Sequence, residues 1–374
     1  MKPHLSHRPR RLARRVTVAG MAAAALTCTM AAPAVAEDHA ATMQALKASK
    51  TGPGAAVYAG DRTGSWSLQV GTGQLYYDKP IQPTDRFRAA SQTKTFTAAV
   101  VMQLVDEGKV ELDAPIGRYL PGVMTGNGYD ENKITVRHLL QQVSGFPEMN
   151  PPGAITGGTI ALADLVKWAV TGHPSTAEPG AKVQYSNANY WVAGLLVEKV
   201  TGMSAAEAIT SRIITPLGLT GTRYPQTGDL SIGAPAVHGY LGGWAGPFYA
   251  WTDISNFIGY EPSQWATAGA IVSTLKDLST FYRALFDGKV VSQAALAEMQ
   301  KTVPLGEEGF GLGLRRWALP CGGYVWGHNG VFPAYLSYTG VTSTGRFVSM
   351  MTNNGDWAGM QKVLYSALCE DGTS

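Results

Sequence analysis

The stretch FRAASQTK, residues 87–94, lies where strand-like sequence gives way to a helical pattern. Apolar residues recur on one helical face between Phe96 and Val105, and Gly108 can end that helix. Ser91 and Lys94 are three residues apart, so their side chains share one face. A serine nucleophile needs a proton acceptor, and a buried lysine can serve because burial lowers its pKa. The stretch therefore predicts a serine nucleophile at a helix N-terminus, where backbone N–H groups can stabilise an oxyanion.

Taken alone, the spacing of Ser91 and Lys94 is weak evidence. Residues 273–276, Ser-Thr-Leu-Lys, repeat the pattern and are typical of an N-capped helix start with Asp277 in its first turn. The same interpretation is open for Ser91, as an N-cap followed by a solvated lysine. The rest of the chain must decide between the two.

Strand patterns at both ends of the chain and helical patterns in its middle predict the fold class. We predict an α/β (α+β) fold: an antiparallel sheet from both chain ends flanked by helices, with an inserted mostly helical domain. The sheet domain would comprise residues 37–90 and 266–374, and the helical domain residues 91–265, with the catalytic cleft between them. The predicted strands are Ala55–Ala59, Ser65–Val70, Phe310–Trp317, Tyr324–His328, Ala334–Thr339 and Arg346–Met351. Beyond the helix at Phe96, the predicted helices are Thr135–Val143, Ala188–Gly202, Leu275–Leu285 and Trp357–Leu368.

Residues 1–36 have the pattern of a secretory signal peptide. They contain six cations and no acid, an uncharged run from Val16 to Met30, and the small-x-small site Ala34-Val35-Ala36. A membrane anchor would need about 20 apolar residues. We therefore expect cleavage after Ala36, loss of Cys28, secretion by the general or the twin-arginine route, and no stable membrane anchor.

The predicted cleavage changes the charge and the cysteine count. The whole chain carries 30 Lys and Arg against 27 Asp and Glu, a formal charge of +3; removing six cations leaves 24 against 27, or −3. This balance, with no Lys/Arg cluster, argues against nucleic-acid binding. Cys321 and Cys369 would lie outside the cytoplasm, where we expect them to form a disulfide. We expect a monomer.

Several other chemistries lack their motifs. The sequence has no HExxH zinc pair, no Walker GxxxxGK[ST] loop and no GxSxG elbow, and the five histidines left after the predicted cleavage are not paired at metal-ligand spacing. We expect neither a metal nor a cofactor. Residues 239–265 are unusually aromatic, and two interpretations are open: a loop that packs over the core, or an aromatic wall beside a pocket. From this segment we assign Trp265 to the substrate site.

Three motifs in order resemble the serine DD-peptidase and class C β-lactamase superfamily, and within it the exported soluble D-alanyl-D-alanine carboxypeptidases. They are Ser91-Gln92-Thr93-Lys94, Tyr185-Ser186-Asn187 and Gly327-His328-Asn329-Gly330. Between and before them lie further similar stretches: Leu104–Lys109, Tyr119–Gly122, Ile134–Arg137 and Phe310–Arg316. The resemblance covers the chain from about residue 45 to Cys369.

The resemblance implies a role for each matching residue. Ser91 would become acylated, and Lys94 and Tyr185 would share the proton transfers, with a phenolate-like Tyr185 as base and its phenol as acid. Asn187 would bind the substrate amide, or simply cap its helix. The oxyanion hole would be the backbone N–H groups of Ser91 and Val331.

The strand at 327–331 departs from the carboxypeptidase pattern. Family carboxypeptidases carry hydroxyl residues where this chain has Asn329 and Val331, and His328 stands where class C β-lactamases carry lysine. Arg315 matches the arginine that binds a substrate carboxylate, although a surface position or an ion pair is an alternative.

From this resemblance we expect a secreted serine D-alanyl-D-alanine carboxypeptidase. It would act on peptidoglycan stem peptides or small acyl substrates and would be acylated by β-lactams as covalent inhibitors. The alternatives are an esterase, a D-amino-acid amidase or aminopeptidase, or a β-lactamase on the same fold. An alternative of another class is a receptor that binds β-lactam or peptidoglycan without turnover.

Overall fold

An eight-stranded antiparallel sheet organises the fold. The computed structural model describes residues 39–49, 52–306, 308–355 and 359–369, so the predicted signal peptide lies outside the described residues. The strands of this sheet are β1 (Gly54–Gly60), β2 (Ser65–Gly71), β9 (Val303–Leu305), β10 (Glu308–Phe310), β11 (Arg315–Ala318), β12 (Tyr324–Phe332), β13 (Tyr335–Thr342) and β14 (Phe347–Thr352). Their order across the sheet is β2-β1-β14-β13-β12-β11-β10-β9. Three two-stranded pairs are formed by β3 (Phe87–Arg88) with β8 (Val272–Ser273), β4 (Thr125–Gly126) with β5 (Tyr129–Asp130), and β6 (Tyr240–Ala245) with β7 (Phe248–Asp253).

Helices cover the sheet and fill the middle of the chain. The α-helices of the described residues are α1 (Ala40–Ser49), α2 (Thr93–Asp106), α3 (Val136–Leu140), α4 (Leu162–Gly172), α5 (Asn187–Thr201), α6 (Ala205–Ile209), α7 (Pro262–Gly269), α8 (Leu275–Phe286), α9 (Gln293–Met299) and α10 (Met360–Cys369). Short 3₁₀ turns occur at Ala90–Gln92, Ile116–Arg118 and Ile258–Tyr260, and a π-helical turn at Thr210–Ile214. No helix within the described ranges is long and apolar enough to span a membrane.

The sheet joins the two ends of the chain, which confirms the predicted fold class. β1 pairs with β14, with Val57 opposite Met350, and β2 closes the predicted hairpin on the other side of β1. Alternate residues of β1 face opposite sides: Ala56 belongs to the larger core cluster, and Val57 to a smaller one that includes residues of α1 and α10. The larger cluster takes residues from both predicted domains, and their division stays a prediction.

α2 runs through the centre of the larger core cluster. Eleven of its 14 residues are buried, and Phe96 stacks on Phe281 of α8 with ring centroids 3.8 Å apart. A helix that is apolar on most sides belongs in the interior. Gly108 follows its end in the left-handed conformation, with φ at +69°, as the sequence predicts. The helix that begins beside Ser91 is therefore fixed along its length.

The predicted single strand Phe310–Trp317 is wrong, because the chain turns between β10 and β11. Gly313 has φ at +70°, and a Cβ there would lie 2.3 Å from the Cβ of Ala98 on α2. The turn thus packs directly on α2, where the Gly313 carbonyl also accepts a hydrogen bond from Thr95. This turn pairs Phe310 with Arg315.

Three other predicted elements differ in extent. α3 ends at Leu140 rather than Val143, since Gln142 has φ at +62°. The last helix begins at Met360, and Trp357 lies outside the described residues. The aromatic segment 239–265 is not a plain loop: it contains the β6–β7 hairpin, whose Trp244 and Phe248 are exposed, and the start of α7. Its role as an aromatic wall beside a pocket stays a prediction.

Candidate active site

Ser91 lies in the 3₁₀ turn between β3 and α2. Ala90 has φ at +48°, which is rare for a residue with a Cβ and marks local strain of the kind found at functional sites. The neighbours of Ser91 are buried while Ser91 itself is partly exposed. Ala89 donates a backbone hydrogen bond to Ile271, and the side chain of Gln92 donates one to Ser337 of β13. The turn is held from both sides, with the serine presented to solvent.

β12 passes so close to this turn that only glycine fits at position 330. A Cβ on Gly330 would lie 2.0 Å from the carbonyl oxygen of Ala89. β11 pairs with β12 only as far as Gly327, so residues 328–332 of β12 are not paired with β11. This register places Val331 in the part of β12 next to the Ser91 turn. Its backbone N–H stays the predicted second donor of the oxyanion hole.

Lys94 is fully buried one helical turn from Ser91. Its Nζ lies 3.1 Å from Ser91 Oγ, 2.7 Å from Asn187 Oδ1 and 2.9 Å from the carbonyl oxygen of Ala268. Burial lowers the pKa of Lys94 well below its ordinary value. The amine is therefore neutral more readily than a surface lysine, and a neutral amine can accept the Ser91 proton. The alternative of a solvated lysine is wrong.

Tyr185 completes the group around the serine. Its hydroxyl hydrogen-bonds with Ser91, and Lys94 Nζ lies 4.8 Å from its ring centroid. Burial raises the pKa of Tyr185 to about 12, against the opposing effect of the Ser91 hydrogen bond and of nearby Arg315. The phenol is therefore protonated at neutral pH. This differs from the phenolate-like base expected from the sequence, and it favours Lys94 as base and Tyr185 as acid.

Asn187 is the first residue of α5, but it does not cap the helix. Ser186 is the N-cap and accepts a hydrogen bond from the Ala188 N–H. The Asn187 side chain accepts from Lys94 and donates to the carbonyl of Met149 at 3.2 Å. It therefore orients the lysine, while substrate-amide binding by Asn187 stays a prediction.

His328 and Asn329 lie on opposite faces of β12. The ring of His328 is buried 6.4 Å from the ring of Tyr185, and its Nδ1–H donates to the carbonyl of Asn329 at 2.6 Å. Burial, with the positive charge of Arg315, lowers the pKa of His328 well below its ordinary value, which favours neutral imidazole. Asn329 instead accepts a 2.5 Å hydrogen bond from Arg315. The Val331 side chain packs against the smaller core cluster.

Arg315 is held in an ion pair rather than left open. Its Nη2 donates to Glu308 Oε2, and its guanidinium lies 4.9 Å from the Phe310 ring and 5.2 Å from the Trp317 ring. Phe310 in turn contacts the Tyr185 ring edge-on at 6.3 Å. The arginine is thus next to the catalytic group, in the ion-paired state that the sequence left as an alternative.

The remaining predicted residues are Trp265 and the two cysteines, and a role of Trp265 in substrate binding stays a prediction. Trp265 packs on Phe332 at 4.7 Å, and its indole N–H donates to the Gly259 carbonyl at 2.7 Å. Cys321 and Cys369 form a disulfide across 48 residues, tying the β11–β12 turn to the end of α10.

Two acidic residues at the site were missed by the sequence reasoning. Glu308 is one, and Glu148 is the other: it is exposed, and its negative charge raises the pKa of Tyr185. A hairpin register in which Phe310 faces Arg315 puts Glu308 diagonally across from that arginine. Because the turn at Gly313 was not predicted, the register that places Glu308 near Arg315 was not predicted either.

The assembled group can perform acyl transfer. Ser91 Oγ can attack a carbonyl carbon while its proton passes to neutral Lys94, and protonated Tyr185 can donate to the leaving atom. Lys94 and Tyr185 both contact Ser91, so no rearrangement of the described residues is needed to connect acid and base.

Comparisons with known proteins agree with this chemistry. The chain is 37% identical to a D-stereospecific amidohydrolase from Streptomyces sp., with 90% of this chain and 100% of that chain covered and a TM-score of 0.79. It is 26% identical to the D-amino acid amidase from Ochrobactrum anthropi SV3, with 88% and 97% covered and a TM-score of 0.77.

Among curated proteins, the chain is 33% identical over 174 residues to Protein flp of Staphylococcus aureus strain N315. That alignment covers 46% of this chain and 34% of the relative, so the chain matches about a third of that protein's length. A family model described as Beta-lactamase matches residues 39–367, a range that includes Ser91, Lys94 and Tyr185. The chain therefore belongs to the beta-lactamase family of serine hydrolases.

Proposed function

We propose that the protein is a D-stereospecific amidohydrolase that works through an acyl-enzyme at Ser91. The observation that carries the proposal is the 37% identity to the Streptomyces amidohydrolase over that protein's whole length. The likeness to a D-amino acid amidase supports the same substrate class, an amide or ester of a D-amino acid. Both named activities are amide cleavage, for which the neutral Lys94 and protonated Tyr185 are suited.

In the proposed reaction Ser91 attacks the amide carbonyl and the Ser91 proton moves to Lys94. The tetrahedral intermediate collapses as the C–N bond breaks and Tyr185 protonates the departing amine. Lys94 returns a proton to Tyr185, and water then attacks the acyl-serine ester to release the D-amino acid and restore Ser91. β-Lactams, which are cyclic amides, would acylate Ser91 by the same first step.

The charges around Tyr185 favour an amino-acid amide over a peptide with a free C-terminal carboxylate. Arg315 is compensated by Glu308, while Glu148 adds an exposed negative charge near Tyr185. A substrate that carries an ammonium group and no carboxylate matches this balance.

The second candidate is the D-alanyl-D-alanine carboxypeptidase expected from the sequence, acting on peptidoglycan stem peptides. The presence of Arg315 beside the site favours it, because a guanidinium suits a terminal carboxylate. The two candidates differ in whether Arg315 is available to bind the terminal carboxylate of a substrate.

Turnover of paired substrates separates the candidates. We expect hydrolysis of D-amino acid amides with kcat/KM about 100-fold above that of the L-enantiomers. We expect slower release of D-Ala from an N-acyl-D-Ala-D-Ala peptide, and no turnover by Ser91→Ala. Release of D-Ala without cleavage of any D-amino acid amide would overturn the proposal in favour of the carboxypeptidase.

The pattern of residues 1–36 supports a further proposal, export with cleavage after Ala36. Expression of the full chain in a host with an active secretory pathway tests it. Mature protein in the medium should begin at Glu37; intact chains retained inside the cell would contradict export.

A further inference from the structure

The ion pair between Glu308 and Arg315 stands at the edge of the catalytic group. Arg315 places Nη1 2.5 Å from Asn329 Oδ1 and Nη2 on Glu308 Oε2. The side chains are only partly exposed, 16% for Arg315 and 32% for Glu308. A charge-assisted bond in such surroundings is stronger than one in open water, so the pair compensates the arginine's charge efficiently.

The pair lies on the Tyr185 side of the catalytic group, where the leaving group would depart in the proposed reaction. Tyr185 protonates the leaving atom, so substituents on that atom lie near the phenol. Phe310 bridges the two groups: its ring contacts Tyr185 at 6.3 Å and lies 4.9 Å below the Arg315 guanidinium. A substituent that extends past Tyr185 therefore approaches Arg315 and Glu308 together.

We infer that Glu308 is a specificity-determining residue, which cancels the preference for carboxylate-bearing leaving groups that an unpaired Arg315 would give. A carboxylate that binds Arg315 must either displace Glu308 or lie beside its negative charge. Either event removes most of the attraction that an unpaired arginine would offer. The inference rests on the proposed function, in which Glu308 removes the advantage that a leaving group with a free carboxylate would have over ammonia or an uncharged amine.

Two aryl esters with the same acyl group test this inference. One carries a carboxylate on the phenol and the other a carboxamide. The measured quantity is the ratio of kcat/KM for the carboxylate ester to kcat/KM for the carboxamide ester. The esters are reactive enough to report on the leaving-group subsite even if D-amino acid amides are not the substrate. Failure of the proposed function and failure of this inference are thus separate results.

In the wild type we expect a ratio within about threefold of one, because the compensated arginine gives the carboxylate no advantage. Glu308→Gln should raise the ratio at least about tenfold, which corresponds to about 1.4 kcal/mol. The double variant Glu308→Gln/Arg315→Gln should return it to within about threefold of the wild type, since neither charge remains.

Glu107→Gln is the matched control. Glu107 pairs with Arg212 at a similar exposure, 34% and 22%, but at the far end of α2, about 24 Å from Ser91 at 1.5 Å per residue. The Glu107→Gln variant loses the same charge as Glu308→Gln and should leave the ratio of the two kcat/KM values unchanged. Thermal unfolding and near-ultraviolet circular dichroism verify that each variant is folded.

Three results would overturn the inference. They are a ratio in Glu308→Gln within about threefold of the wild type, a rise that survives in the double variant, and a wild-type preference of about tenfold for the carboxylate ester. The last result needs no variant, so the test holds even if Glu308→Gln does not fold.

Discussion

Lys94 Nζ lies 3.1 Å from Ser91 Oγ and at the same time 2.7 Å from Asn187 Oδ1, so one buried nitrogen links the nucleophile to the second motif. A lysine held in this way is costly to charge, since its side chain is fully buried. Burial of the Lys94 amine therefore makes its charged form costly and, for the same reason, leaves a neutral amine that can accept a proton.

Replacing Lys94 with Met should reduce kcat/KM at least about 10³-fold. It should also change how stability depends on pH. The folded pKa of Lys94 lies below its ordinary value of 10.5, so between these two values the unfolded chain binds a proton that the native protein does not. The wild type therefore loses stability relative to Lys94→Met as pH falls through that window, by up to about 1.4 kcal/mol per pH unit.

Denaturant unfolding of both proteins at a series of pH values measures this slope. Lys276→Met is the matched control, because Lys276 occupies the same position in the second Ser-x-x-Lys sequence but is exposed on α8. It should change neither activity nor the slope. A Lys94→Met protein that parallels the wild type at every pH would contradict a lysine kept neutral by burial.

Replacing Tyr185 with Phe should impair amides more than activated esters. The variant keeps the ring that contacts Phe310 and His328 but loses the hydroxyl that bonds to Ser91. An amine needs a proton to leave, and p-nitrophenolate does not, so we expect kcat/KM to fall by about 10²–10³ for an amide and by less than about tenfold for a p-nitrophenyl ester. Equal losses on both substrates would exclude Tyr185 as the acid for the leaving group.

Gly330→Ala should disturb the site through the backbone. The added Cβ would lie 2.0 Å from the Ala89 carbonyl oxygen, so β12 and the Ser91 turn must separate. We expect a loss of about 1–3 kcal/mol in the free energy of unfolding and of about 10²-fold in kcat/KM. Gly243→Ala is the control, because among the described residues nothing lies within 4 Å of its added Cβ. Equal behaviour of the two variants would show that the close approach is not required.

Removing the disulfide should lower stability and leave the chemistry intact. Cys321 and Cys369 close a loop of 48 residues, which in the chain-entropy model contributes about 4 kcal/mol. The bond ties α10 to the β11–β12 turn, on the side of the sheet with the smaller core cluster. We expect Cys321→Ser/Cys369→Ser to unfold at lower denaturant and to keep kcat/KM within about twofold of the wild type. Unchanged unfolding with and without reductant would contradict a structural role for the bond.

The sequence was sufficient for the parts of the site that lie on strong local patterns. Ser91 and Lys94 are brought together by helical spacing alone, and the buried face of α2 is visible in its apolar residues. Tyr185 came only with the family resemblance, since its contact with Ser91 joins positions distant in sequence. Its protonation state depends on burial, and burial follows from the fold.

The Glu308–Arg315 pair lay beyond the sequence reasoning for a physical reason. Residues 310–317 have the composition of one strand, and the turn within them is set by the packing of Gly313 on Ala98 of α2. Because this turn was not predicted, the register between β10 and β11 was not predicted, and Glu308 was not recognised as the partner of Arg315. Sequence reasoning therefore left the ion pair among its alternatives and did not name Glu308.

The proposed function requires an acyl-enzyme at Ser91 formed from a D-amino acid derivative. Acid quenching of the wild type during turnover of a D-amino acid ester, followed by intact-mass measurement and peptide mapping, tests it most directly. We predict an adduct of the acyl group on the peptide that contains Ser91, formed from the D-ester in preference to the L-ester and absent from Ser91→Ala. An adduct on another residue, or turnover of the D-ester by Ser91→Ala, would contradict the account.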